Sequence, residues 1–295
     1  ASRCRIGNAA SAARIFAPCS FNSARRSGCV TAGAGGSIGS PSTLASTPSA
    51  ARLDGEGGVP GGGLPPVDDS TGGTGFLSSQ PLTATATAGD ITQTGAVSAN
   101  TATFTATGNN VTLNDATNNF GTVGFTAGNV TVVDANGLNL STSTITGALN
   151  ATAVLGDITQ SGSIIVDSVT LSAANNITLL NAANNFGSIG IATANNVSLR
   201  DVNTVVISDT NVTNNYQLTA FGDVSQSGNM SVGGTTSVVS SDNNISLDAT
   251  NNQFVGAVSL LNNGFAGANI TLNNNRSLVL GGIAMTPIGA GELTV

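Results

Sequence analysis

Two short strings recur along this chain of 295 residues at a shared long period, and that recurrence limits the fold more than any other feature. Gly89-Asp90-Ile91-Thr92-Gln93-Thr94-Gly95 returns as Gly156-Asp157-Ile158-Thr159-Gln160-Ser161-Gly162 and as Gly222-Asp223-Val224-Ser225-Gln226-Ser227-Gly228. Asn118-Asn119-Phe120-Gly121 returns as Asn184-Asn185-Phe186-Gly187 and, with Gln253 taken as an insertion, as Asn251-Asn252-Gln253-Phe254. Both markers share a period of roughly 66 to 67 residues, the signature of a stacked repeat protein rather than of a globular domain.

Within each long repeat runs a finer rhythm of apolar residues separated by one polar residue. The first copy has Val111/Leu113, Val123/Phe125, Val130/Val132 and Leu138/Leu140; the second has Ile177/Leu179, Ile189/Ile191, Val197/Leu199 and Val205/Ile207. The third has Ile245/Leu247, Val258/Leu260, Ile270/Leu272 and Leu278/Leu280. This alternation gives short strands with one face buried and the other wet. Equivalent pairs recur about every 20 residues, a common coil length for a parallel β-solenoid. The expected fold is therefore all-β, a parallel β-helix from residue 82 to 295 built of three long repeats. Each long repeat is either three such coils plus a remainder or three longer coils of about 22 residues. About ten or eleven coils at the spacing of neighbouring strands give a rod roughly 50 Å long.

Composition fits such a rod. Only 8% of residues are charged, against about 25% in ordinary soluble domains. A charge repeated in every coil would lie about 4.8 Å from its own copies, and like-charge ladders destabilise sheets. The pairs Asn109-Asn110, Asn175-Asn176, Asn195-Asn196 and Asn243-Asn244 each precede a strand and are read as turn residues whose amides can stack along the axis.

Residues 1–81 differ from the rest. Six of the eight Arg and seven of the eight Pro lie there, with a dense Gly/Ser/Pro stretch from 31 to 80, so this segment reads as low-complexity and disordered. The chain starts at Ala1, consistent with a processed or incomplete sequence. No apolar stretch of signal-peptide length follows the early Arg residues, and Arg25-Arg26 is followed by Ser27-Gly28 instead of the apolar run that a twin-arginine signal needs. Cys4, Cys19 and Cys29 are odd in number and match no zinc spacing, so they read as unremarkable thiols.

Several chemistries are set aside by residue type. With no His and no Lys in the sequence, a nucleophile–His–acid arrangement is not available. From residue 81 onward two Arg face eleven acids, a balance that repels phosphate backbones, so no nucleic-acid partner is expected. No apolar run reaches the length of a membrane-spanning helix. Asp90, Asp157 and Asp223 recur at one repeat position, which favours turn residues bonding their own backbone over a catalytic pair or a calcium site. The expectation is thus no enzyme, no catalytic, metal or cofactor-binding residues and no cofactor. The alternatives are a β-helix polysaccharide-active enzyme, a calcium-stabilised solenoid, or an ice-binding one using Thr83, Thr85, Thr87, Thr101 and Thr103.

The string Gly-Asp-Ile-Thr-Gln-Ser-Gly at 156–162, followed by Asn-Asn-Ile-Thr-Leu at 175–179 and Asn-Asn-Phe-Gly at 184–187, resembles the repeats of filamentous haemagglutinin-like bacterial exoproteins. The resemblance covers residues 82 to about 285. It implies a right-handed parallel β-helix exported through an outer-membrane partner by two-partner secretion. It also implies an extracellular, surface-bound adhesin repeat that contacts host or neighbouring cell-surface glycans or proteins. The secretion domain of that family carries Asn-Pro motifs, and this sequence has no Asn-Pro dipeptide.

Overall fold

The computed structural model describes residues 51–53, 81–241, 243–263, 267–285 and 291–295. All described regular structure is β: short parallel strands belonging to one continuous sheet that winds as a solenoid. The alternation predicted from sequence sets the burial of each strand. Ile177–Leu179 and Tyr216–Ala220 bury every other residue and turn the intervening ones outward.

Register shows how the coils stack. One ladder passes through Ile91, Val111, Val130, Leu149, Val169, Ile189 and Ile207, and Ile207 pairs in turn with Gln226. Each step along it is roughly 20 residues, the length of one coil. Val205 pairs with Val224 on the same ladder, which continues to Ile245, Ile270 and Leu293. The coils lengthen there, to about 25 residues at most. A second ladder passes through Leu138, Ile158, Ile177, Val197, Tyr216, Thr236, Val258 and Leu280.

These ladders settle the coil length left open by the sequence. Through the first two repeats the coil has about 20 residues rather than about 22, so one long repeat takes three and a half coils. Successive copies are therefore turned by half a coil. Ile91 of the first copy and Val224 of the third lie on one ladder, and Ile158 of the second lies on the other. Val111, Ile177 and Ile245 alternate in the same way.

The interior is a column of Val, Ile, Leu, Ala and Phe running the length of the stack. Near its N-terminal end Phe104 meets Phe120 edge-on at 6.1 Å between centroids and stacks on Phe125 at 5.9 Å. Apolar residues mostly sit over apolar residues, so within the stack an inward side chain is covered on two sides by those of the neighbouring coils. The longest strands, Ser98–Leu113 and Asn119–Asp134, run past a corner, where the pairing slips between Ala106 and Asn110. Pro81 and Ala51–Leu53 are the described residues of the segment read as disordered. Ala51–Leu53 forms a strand that pairs in parallel with Ile91–Gln93, and the rest of that expectation lies outside the described residues.

Candidate functional site

The two sequence markers turn out to be halves of one polar clamp. In the first copy the Gln93 amide nitrogen donates to Asn118 Oδ1 at 2.8 Å, and the Asn118 amide nitrogen donates back to Gln93 Oε1 at 3.0 Å. Gln160 and Asn184 repeat this exchange at 2.8 and 2.8 Å, and Gln226 and Asn252 at 3.0 and 2.9 Å. Each of these Asn residues is fully buried. Their remaining capacity is used as well: Asn184 Oδ1 also accepts the Ile164 N–H, and its amide nitrogen also donates to the Leu179 carbonyl. A buried amide with every donor and acceptor matched fixes the local geometry, because each unmatched group carries a desolvation penalty. The third marker copy needs no insertion. Asn252 occupies the clamp position of Asn118 and Asn184, so Gln253 stands in place of the second Asn and Phe254 in place of Phe120.

Asp90, Asp157 and Asp223 do not bond their own backbone, as the sequence reading had them do; they accept from the next coil. Asp157 Oδ1 takes the Asn176 backbone N–H at 2.8 Å and its side-chain amide at 3.1 Å. Asp90 with Asn110 and Asp223 with Asn244 do the same. Each Asp is the first member of an Asn ladder. From Asp157 the ladder runs through Asn176, Asn196 and Asn215 to Thr235, each oxygen accepting from the coil that follows. At Asp157 an acceptor-only carboxylate suits the first position, because a donor there would face Gly137, which has no side chain to receive it.

The Gly preceding each of these Asp residues is required by the backbone. Gly89 has φ of 101°, in the left-handed region, and a Cβ on Gly156 would lie 2.7 Å from Gly137 Cα of the preceding coil.

A second carboxylate position escaped the sequence reading. Asp134 and Asp201 are fully buried at a corner, where Asp134 Oδ2 accepts the Phe120 N–H at 2.6 Å and Asp201 Oδ2 accepts that of Phe186 at 2.7 Å. Burial pushes both carboxyls above their ordinary range, against these bonds and those from the Asn136 and Asn203 N–H groups, which pull the other way. In the third copy the neutral Asn274 takes the same role toward Phe254. The signal available in the sequence was the recurrence of Asp134 as Asp201, one long repeat further on.

On the outside, a shallow groove of about 340 Å³ is lined by Ile191, Asp209, Asn211, Asn229, Ser231 and Gln253 among others. Its one carboxylate, Asp209, accepts the Asn229 backbone N–H, and the groove's surface is otherwise mostly apolar with neutral amides and hydroxyls among it. Of the threonines singled out in the sequence, Thr83 pairs with Thr103, whose next partner is Gly124, and Thr101 pairs with Thr122. Thr85 heads an outward column with Thr105, Thr126 and Thr144, which ends at Ile165. Arg200 lies over the Phe221 ring at 4.8 Å. Among the described residues no three His, Cys, Asp or Glu side chains are grouped to hold a metal ion, and no helix is long and apolar enough to cross a membrane. Cys4, Cys19 and Cys29 lie outside the described residues.

The model of a family described as repeats of unknown function (DUF5649) matches the chain three times, at residues 68–126, 127–193 and 194–261. The second and third matches each span one long repeat, and the first begins within the segment read as low-complexity. No curated protein and no solved structure matches the chain.

Proposed function

We propose that this chain, which belongs to the family of DUF5649 repeats, is a non-catalytic structural and adhesive module of a large secreted or cell-surface bacterial protein. The observation that carries this reading is where the polar groups are spent. The recurring Asn and Gln side chains and the acids at Asp90, Asp134, Asp157, Asp201 and Asp223 hold one coil to the next or seal a corner. What is left outward is a long, weakly charged surface of Thr, Ser and Asn, interrupted by a few exposed apolar side chains.

Such a surface suits many weak contacts with neutral polar partners such as cell-surface glycans or proteins, where affinity comes from multiplicity rather than from one deep pocket. The resemblance of residues 82 to 285 to filamentous haemagglutinin-like repeats supports the extracellular placement and an outer-membrane secretion partner. The experiment is binding of the purified chain, displayed on beads to give multivalency, to a glycan panel and to intact bacterial and host cells. Saturable binding to one class of surface is expected. Absence of binding across all of them overturns the adhesive part of the proposal.

A further inference from the structure

Residues that hold the coils together recur from copy to copy, so outward residues that one copy has and the preceding copy lacks are not explained by stacking. The groove on the outside of the rod is built of such residues. It opens beside a bulge: Ile189 pairs with Ile207 and Ile191 with Thr210, so the strand Val205–Val212 carries one residue more than its partner there, and Asp209 is exposed. The equivalent bulge one long repeat earlier lies between the pairs Val123–Leu140 and Thr126–Thr144, and it carries Thr142 in place of Asp209. Register extends the comparison. Asn211, Ser231 and Gln253 form an outward column over three successive coils, and the matching column one repeat earlier is Thr144, Ile165 and Asn185. Asn229 replaces Ser163 beside the strand start, and Asn251 replaces Ala183 beside the clamp Asn.

At 209, 211, 229 and 251 a short hydroxyl or methyl side chain thus gives way to a carboxylate or an amide, all around one hollow. These groups are not spent on the stack as the clamp and ladder amides are. The side chains of Asn211, Asn229, Asn251 and Gln253 make no hydrogen bond among the described residues, and Asp209 commits only Oδ1, to the Asn229 backbone N–H. Open amide donors and acceptors beside an apolar surface, with a carboxylate and no cation in the lining, match the chemistry of an uncharged sugar. A pyranose carries hydroxyls at its rim and C–H groups on its faces, whereas an acidic sugar would meet Asp209 with like charge. The volume of about 340 Å³ lies at the lower end of small-molecule sites, roughly 300 to 1,000 Å³. Neighbouring coils are spaced by about 4.8 Å, close to the length of one unit in an extended glycan.

We propose that this groove binds an uncharged stretch of glycan lying along the Asn211–Ser231–Gln253 column. Asp209 Oδ2 accepts from sugar hydroxyls, the amides of Asn211, Asn229 and Gln253 give and take the remaining hydrogen bonds, and the apolar part of the surface meets a ring face. The inference rests on the adhesive reading and gives one of its weak contacts a place and a ligand class. It also separates this part of the rod from the surface one repeat earlier, which has the same backbone without the same side chains.

The test uses the full 295-residue chain on beads against a printed array of neutral, N-acetylated and acidic oligosaccharides. Binding to uncharged members is expected, with the acidic ones left unbound. Asp209→Thr and Asn211→Thr install the residues that the preceding copy carries at these places, so both variants should keep the circular dichroism of the parent. Each should weaken binding roughly tenfold or more, the scale of a lost hydrogen bond to a charged or well-placed group. Thr144→Ala, on the matching surface one repeat earlier, should leave binding unchanged. Glycan binding that survives both groove variants, or that is confined to acidic sugars, overturns the groove and leaves the adhesive reading standing. Binding to cells with no glycan bound on the array does the same, whereas no binding to any glycan or cell overturns both.

Discussion

Asn184 shows how much a single residue decides in this fold. Its amide exchanges two hydrogen bonds with Gln160 and takes up one backbone donor and one backbone acceptor besides, all in a position closed to water. Asn184→Ala strands the Gln160 amide and the Ile164 N–H together, and should cost about 3 kcal/mol in denaturant unfolding. A loss below about 1 kcal/mol would show that the clamp is not what holds these coils in register. Tyr216 is the opposite case. Its hydroxyl is buried without a hydrogen-bond partner among the described residues, and burial raises its pKa. Tyr216→Phe removes an unmatched group while keeping the ring, so stability should stay level or rise by about 1 kcal/mol.

Asp134 and Asp201 give the residue scale a dependence on pH. Their folded pKa values are raised above those of the unfolded chain, so the fold binds the proton more tightly than the unfolded state does. Stability from these two groups is accordingly highest below the ordinary carboxylate range. It declines as pH climbs from there through the raised values. Replacing both with Asn, the residue found at the corresponding place in the third copy, should flatten that decline in melting temperature. A pH profile unchanged by the double replacement would contradict it.

At the scale of elements, the strands were legible because alternation survives in nearly every coil. Ile177–Leu179, Val197–Arg200 and Ile245–Leu247 bury the very residues that the apolar-x-apolar rhythm marks. The clamp was not legible, although both its halves were found. Gln93 and Asn118 are separated by one coil and a fraction, and only a known coil length turns that separation into a contact. Asp90, Asp157 and Asp223 were recognised as turn residues, but their acceptors point along the axis. Local sequence pattern carries no information about which group of the next coil waits there. Asp134 and Asp201 were hidden for a different reason, since an acid in an apolar strand end looks like an ordinary loop residue until its burial is seen.

Elements in a solenoid touch only their neighbours in the stack, so damage is expected to stay local before it spreads. Ile177→Ala opens space between Ile158 and Val197 and should cost about 2–5 kcal/mol. Hydrogen exchange should report the loss first in the coils beside it. Uniform loss of protection from end to end would mean that the stack melts as one unit instead.

For the whole molecule, the half-coil advance of each long repeat is the feature with the widest consequences. It places the second copy's marker on the side of the rod opposite to those of the first and third, so neither side collects every Asn ladder and both present similar chemistry. That arrangement rests on the shorter of the two coil lengths that the sequence allowed, and the difference can be measured by cross-linking outward positions in adjacent rungs. In a chain with Cys4, Cys19 and Cys29 replaced by Ser, the pair Thr178→Cys and Ser198→Cys lies directly opposite across two rungs, within disulfide reach. Thr178→Cys with Arg200→Cys is the pair that the longer coil would bring together. Ready oxidation of the first pair, with the second left reduced, is the predicted result; cross-linking of the second in preference to the first would contradict the coil length and the half-turn with it.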